Sequence, residues 1–302
     1  MAQMSFLARV KTELCRLPPG KACCALAEGY GVFLYAHSFN AREIRLITEH
    51  AAFRARLPMM LAQGFGAAFD RFPDAAAVGK QTFTISRPET LATIAAAIGV
   101  DFDGTLAHGI NFGVLEDSCC KTAFARGAFL AGGAVTNPER GYHLEFVTSH
   151  RRVNRGMFAL LQEMGFAPKD ITRKGNFIVY FKHSGMIEDI LTRLGATQSA
   201  LSLMGAKVEK DLRNAVQRRV NCDTANVDKS VAAAGIQLDA IHRIESKIGL
   251  NTLPEKLRQT AVLRLEHPEA SLTQLANLAT PPVTKSCMSH RLRKILEWGE
   301  QP

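Results

Sequence analysis

An internal repeat constrains this 302-residue chain more than any other feature. The stretch "CCALAEGYGVFLYAHSF" (23–39) aligns without gaps with "CCKTAFARGAFLAGGAV" (119–135). The two share Cys-Cys, Ala27/Ala123, Gly31/Gly127, Phe33/Phe129 and Leu34/Leu130. The residues that follow also correspond. "REIRLITE" (42–49) and "YHLEFVTS" (142–149) alternate with period two, as strands do. "AAFRARLPMMLAQGFG" and "RRVNRGMFALLQEMGF" carry the helical period, the first interrupted by Pro58. "KQTFTISR" and "GNFIVYFKHS" read as later strands. "RPETLATIAAAIG" and "SGMIEDILTRLG" read as short helices closed by Gly99 and Gly195. Each copy is therefore expected to run α-β-β-α-β-β-α, and two copies suggest a pair related by a pseudo-two-fold axis. Gly31, Gly127, Ala36, Ala128, Ala131, Gly132 and Gly133 would let the two leading helices approach closely.

The repeat accounts for more than half of the length, and nearly half of all residues are apolar, enough for two cores. No apolar run approaches the roughly 20 residues of a membrane span. The N-terminus alternates apolar and charged residues, unlike a secretory signal. A cytoplasmic protein with no membrane partner is the expectation. Seven cysteines, an odd number in a long chain, read as reduced thiols rather than a disulfide scaffold. The paired cysteines invite a metal. However, adjacent positions on a helix point about 100° apart and rarely share an ion, whereas structural zinc sites space their ligands C-x₂₋₄-C. They are read as small buried apolar residues, with no metal and no cofactor expected. The formal charge of +9 favours a polyanionic partner.

Residues 197–250 read as a helical linker with a polar break at "NCDTANVD" (221–228). Val231, Ala234, Leu238, Ile241 and Ile248 fall at heptad-like spacing, interrupted by Glu245, before a C-cap at Gly249. The linker's basic residues Arg213, Arg218 and Arg219 are candidate secondary DNA contacts. The last stretch, 251–302, has the pattern of three helices. Pro254 opens "PEKLRQTAVLRLEH". Ser271 and Gln274 have capping-box spacing before "LTQLANLA". Thr284 can cap "KSCMSHRLRKILEW". A short turn between the last two helices fits a helix-turn-helix. Met288, Leu292, Ile295 and Leu296 form an inward stripe on the third helix. Ser286, His290, Arg293, Lys294 and Glu297 lie opposite, flanked by Lys285, Ser289 and Arg291. Ser, His and Arg can bond base edges, and Lys and Arg can also meet phosphates. Lys285, Ser286, Ser289, His290, Arg291, Arg293 and Lys294 are the candidate DNA-binding residues.

These stretches carry a resemblance. The repeated helix-strand units resemble the LAGLIDADG homing-endonuclease fold. The whole chain resembles the bacterial WhiA family of sporulation and cell-division regulators, through "MSFLARVKTELCRLPP", both "CC" pairs, "GAFLAGGAVTNPERGYHLEF", "RRVNCDTANVDKSVAAA", "PEKLRQTAVLRLEHPEASLTQLA" and "PPVTKSCMSHRLRKI". The resemblance implies an α+β fold: a duplicated LAGLIDADG-like domain followed by an all-α helix-turn-helix domain. The expected layout is an N-terminal segment (1–22), the repeat domain (23–196, copies 23–118 and 119–196), the linker (197–250) and the helix-turn-helix domain (251–302). In the nucleases a carboxylate near each leading-helix end helps to hold metal. Alignment on Gly31 and Gly127 places Ala36 and Gly132 at those positions, so no catalytic residue and no enzyme activity are expected. The nearest acids downstream, Glu43, Glu139 and Glu145, stand at the wrong offset. The implied function is sequence-specific regulation of transcription linked to sporulation, cell division or chromosome segregation. It would act on double-stranded DNA in the nucleoid, with a transcription-machinery or regulatory protein as a further candidate partner. An active endonuclease and a nonspecific DNA or protein scaffold are the alternatives.

Overall fold

The computed structural model describes residues 4–18, 20–73, 79–102 and 109–300. They divide into two compact units, Met1–Lys210 and Asp211–Pro302.

The first unit opens with α1 (Phe6–Arg16), capped by the Ser5 hydroxyl and burying Phe6, Val10 and Leu14 at four-residue spacing. The first copy follows: α2 (Ala22–Leu34), β1 (Ser38–Phe39), β2 (Ile44–Thr48), α3 (Ala51–Phe65), β3 (Gln81–Ile85) and α4 (Pro88–Ile98). The second copy comprises α5 (Ser118–Gly132), β4 (Gly133–Val135), β5 (Leu144–Thr148), α6 (Arg151–Glu163), β6 (Lys169–Arg173), β7 (Asn176–Phe181) and α7 (Ser184–Leu194). The strands form two antiparallel sheets, β1-β2-β3 and β4-β5-β7-β6. A single core, including Tyr30, Phe33, Phe124, Phe129 and Phe146, runs through both copies.

The two leading helices lie against each other at the centre of the repeat, and their glycines make this possible. A Cβ at Gly31 would stand 2.1 Å from the Phe124 carbonyl oxygen, and one at Gly127 would stand 2.0 Å from that of Glu28. The repeated glycines thus meet the partner helix's backbone reciprocally. Beside this contact lies a buried charge network. Arg56 holds both carboxylate oxygens of Glu28, at 2.5 and 2.9 Å, and donates to the Cys15 and Leu17 carbonyls. Arg126 reaches the same carboxylate at 3.3 Å.

The second copy has the expected element order; the first differs. On the edge of β3 away from β2, the counterpart of β6 is, among the described residues, only an isolated bridge between Arg71 and Thr84. In the second copy, Lys174 and Gly175, both at positive φ, form a two-residue turn that brings β6 onto β7 in register. In the first copy Pro73, which cannot donate to a ladder, follows two residues after the Arg71 bridge. Nor does Pro58 interrupt α3: it stands on the exposed face and the helix continues through it.

The N-terminal residues are not a separate segment, because Phe6, Val10 and Leu14 belong to the repeat core. The Glu13 carboxylate accepts from the backbone N–H groups of Gln198 and Ser199, at 2.6 and 2.9 Å. It thereby caps α8 (Thr197–Lys247). The expected break at 221–228 is absent, since α8 is one 51-residue helix. Asn, Asp and Thr are poor helix formers, but each costs well under 1 kcal/mol and they are flanked by helical sequence.

In the second unit, the end of α8 packs with α9 (Glu255–Glu266), α10 (Leu272–Leu278) and α11 (Lys285–Gly299). Ile241 and Ile244 share a core with Leu257, Leu275, Met288, Leu292 and Ile295. An expected boundary at 250/251 would cut this core. The heptad-like residues divide: Ala234 and Ile241 are buried, whereas Val231 and Ile248 are exposed. Leu238 is half-buried, so only part of the stripe is a face that α8 presents to the C-terminal core.

Candidate nucleic-acid interface

The α10–α11 pair is built by local chemistry. Ser271 and Gln274 form the reciprocal capping box, and the Thr284 hydroxyl accepts from the Cys287 N–H. The sequence did not single out Arg264. It is buried in α9 and donates to the carbonyls of Pro268 and Ala270, at 3.4 and 2.6 Å. It thus ties the α9–α10 turn back onto α9. Basic residues are normally read as surface, so only the spacing to the turn could have marked it.

With Met288, Leu292 and Ile295 buried, the rest of α11 is turned outward. Lys285, Ser286, Ser289, His290, Arg293 and Lys294 are all exposed, and Leu296 is half-buried. Arg293 lies 4.0 Å from Glu297, a loose exposed pair. Arg291 is set apart from these residues. It is half-buried and lines a cleft with Glu255, Arg258 and Glu266. On α8, Arg213, Arg218 and Arg219 are exposed but point in different directions around the helix, so they do not share one face.

The leading-helix ends in the repeat unit have a different character. A Cβ at Gly132 would stand 2.5 Å from the Tyr35 ring and 2.7 Å from the Val147 carbonyl oxygen. Position 132 thus lacks a carboxylate and has no room for one. The Lys11 ammonium donates to the Leu130 carbonyl at 2.9 Å, and burial holds its pKa down at about 8. A cation and an aromatic ring occupy this end of α5. Burial of Tyr35 also pushes its phenol up. Glu145 binds His143 at 2.9 Å and Glu43 lies 3.4 Å from Arg45, so both acids have local partners. Ala36 is half-buried.

The cysteine pairs depart from the sequence expectation. Cys23 and Cys119 are exposed, Cys24 is half-buried and only Cys120 is buried. All four sulfurs lie within 4.8 Å of one another.

Two family models match the chain: the WhiA C-terminal HTH domain over residues 216–298 and the WhiA LAGLIDADG-like domain over 121–213. A relative from Alkaliphilus metalliredigens, described as a probable cell division protein WhiA, is 34% identical over 305 residues, spanning 97% of this chain and 96% of its own length. The chain belongs to the WhiA family. Another WhiA relative, from Desulfitobacterium hafniense, is 36% identical over 308 residues, covering 99% of this chain and 96% of that protein. The crystal structure of full-length WhiA from Thermatoga maritima superposes with a TM-score of 0.60 at 23% identity, covering 98% of each chain. The WhiA fold, a LAGLIDADG-like unit and a helical helix-turn-helix unit in one chain, is thus the fold of this protein. Among the described residues, no helix is long and apolar enough to cross a membrane.

Proposed function

We propose that the chain is a sequence-specific DNA-binding regulator of transcription, acting in cell division, chromosome segregation and sporulation. One observation carries this reading. The third helix of a WhiA-type helix-turn-helix buries Met288, Leu292 and Ile295 and leaves Ser286, Ser289, His290, Arg293 and the lysines at 285 and 294 free for a groove. His290 and Arg293 lie at the centre of that face and are assigned to base edges. Lys285 and Lys294 are assigned to phosphates. Arg291 is a peripheral contact, and Arg213, Arg218 and Arg219 add secondary contacts along α8. The repeat unit is a scaffold, not a nuclease: its helix end at Gly132 is filled by Tyr35, and Lys11 sits on the adjacent carbonyl. The protein works on the nucleoid in the cytoplasm, alone or with a transcription-machinery partner.

The test is footprinting on genomic fragments against excess competitor DNA, followed by affinity measurements across salt concentrations. Protected sites that survive competition support the reading. A folded Lys285/His290/Arg293/Lys294 quadruple alanine variant with unchanged affinity and salt slope refutes this face as the DNA site. Reproducible cutting of plasmid with Mg²⁺ or Mn²⁺, abolished by chelator, refutes the scaffold reading.

A further inference from the structure

We infer that Cys23, Cys24, Cys119 and Cys120 form a tetrathiolate site for one zinc ion, which clasps the starts of the two leading helices. The observation behind it is geometric: two residues from each copy bring four sulfurs within 4.8 Å of one another. The partnering follows the pseudo-two-fold. Within the cluster the Cys24 and Cys119 sulfurs lie within 4.8 Å of each other across the helices, as do those of Cys23 and Cys120. The repeat alignment (23 with 119, 24 with 120) exchanges these two cross-helix pairs. Adjacent cysteines on one helix diverge, so neither pair could close around an ion alone. Two such pairs facing each other across an axis supply four ligands from four directions.

The dimensions fit one small ion. At a Zn–S distance of about 2.3 Å, a tetrahedron has sulfur-to-sulfur edges of roughly 3.8 Å. The present spacing needs a contraction of about an ångström at most. A four-iron cluster carries its cysteines on the outside of an inorganic core and needs them farther apart. Four thiolates without nitrogen or oxygen donors select a thiophilic metal such as zinc over magnesium or calcium. Binding exchanges protons for metal: the ion enters, the four sulfurs draw together around it, and the four thiol protons leave to solvent. The site then carries net charge −2. Cys23 and Cys24 lie in the first turn of α2, and Cys119 and Cys120 in that of α5, where free backbone N–H groups favour negative charge. Gly20 keeps the approach narrow: a Cβ there would stand 3.1 Å from the Cys24 Cβ. Two cysteines are exposed, so the site has an entry path. The clasp joins positions on opposite sides of the long loop from 24 to 119 and would pin the axis at the end opposite Gly132.

The test uses full-length protein purified under reducing conditions without chelator. Elemental mass spectrometry is expected to find one zinc per chain. The metal-free protein titrated with Co²⁺ is expected to saturate at one equivalent, with the intense visible bands and thiolate-to-cobalt charge transfer of a tetrahedral tetrathiolate. Zinc should then bleach that spectrum. Cys23→Ser/Cys119→Ser should lower bound zinc at least tenfold, whereas Cys222→Ser, outside the cluster, should leave it unchanged. The cobalt spectrum is read on the wild-type chain, so a poorly folding variant cannot obscure the result. Fully reduced protein that takes up neither zinc nor cobalt overturns the proposal. Iron with inorganic sulfide at the site also overturns it, as does closure into two cross-helix disulfides without metal uptake.

Discussion

Gly127→Ala tests the central packing of the repeat unit directly. The new Cβ would stand 2.0 Å from the Glu28 carbonyl oxygen, 2.9 Å from its carbon and 3.1 Å from the Val32 nitrogen. Ordinary contact begins near 3.4 Å, so the helices must part by 3.4 − 2.0 = 1.4 Å along that line. The obstacle is backbone and cannot rotate away. A gap of 0.5–1 Å already forfeits roughly a quarter to a half of a dispersion contact, and here it would open along α2 and α5 together. Overpacking alone costs about 1–3 kcal/mol. The added gap puts the net loss at about 3 kcal/mol or more, even after the gain of up to about 1 kcal/mol from replacing a helical glycine. Gly205 provides the control. It lies in the same unit, on α8, with nothing within 4 Å of its missing Cβ, so Gly205→Ala should stabilise by about 0.5–1 kcal/mol. The same chemical change should thus differ by about 4 kcal/mol between the two sites. Urea unfolding followed by circular dichroism, with the repeat-unit transition fitted separately, measures both. Equal shifts for the two variants, or a Gly127→Ala protein as stable as wild type, would refute the reciprocal glycine contact.

Other consequences can be measured in the same way. Glu28→Gln leaves Arg56 buried without its counter-charge and should cost about 3–5 kcal/mol in denaturant titrations. Ile241→Ala should destabilise the C-terminal unit by about 2–5 kcal/mol, and a 251–302 fragment should fail to give the cooperative melt of a fragment that begins before Ala234. Lys11 has a folded pKa of about 8, below its ordinary 10.5. Its protonated form therefore costs stability at and below pH 8, and that cost is relieved as the pH rises toward 10.5. Wild type should accordingly gain on Lys11→Met over that window, and a flat difference in melting temperature would contradict it. If Lys285 or Lys294 meets only phosphate, its alanine variant should lower the salt slope of DNA binding by about 1 and weaken all sequences alike. Loss at His290 or Arg293 should cost about 1–3 kcal/mol at one base position.

The repeat was readable because it is written twice in the sequence: small residues recur at matching positions, including Gly31 and Gly127, in two otherwise different stretches. The helix caps at Ser271 and Thr284 and the two faces of α11 follow from residues within a few positions of each other. The features that were missed depend on distant parts of the chain. On either helix alone adjacent cysteines diverge, and convergence of the four sulfurs arises only from the pseudo-dyad. Arg264 satisfies carbonyls of a turn whose path the sequence does not reveal. The boundary before residue 251 cuts a core because the polar run at 221–228 suggests a hinge, whereas Ile241 and Ile244 find neighbours more than fifty residues downstream. Position 132 reads as an absent acid in the sequence. The steric closure by Tyr35 becomes visible only when the two copies are brought together.

That closure bears on how such a chain can change over generations. Gly132→Asp as a first step would drive a Cβ into the Tyr35 ring and the Val147 carbonyl, so a folding defect would precede any gain in chemistry. Shrinking Tyr35 first would empty a buried site and cost about 3–5 kcal/mol, by analogy with other large aromatic truncations, with nothing yet to select for it. Either order of mutation crosses a stretch of unfit intermediates. At this helix end an acid therefore needs at least two changes, and each one alone costs folding stability.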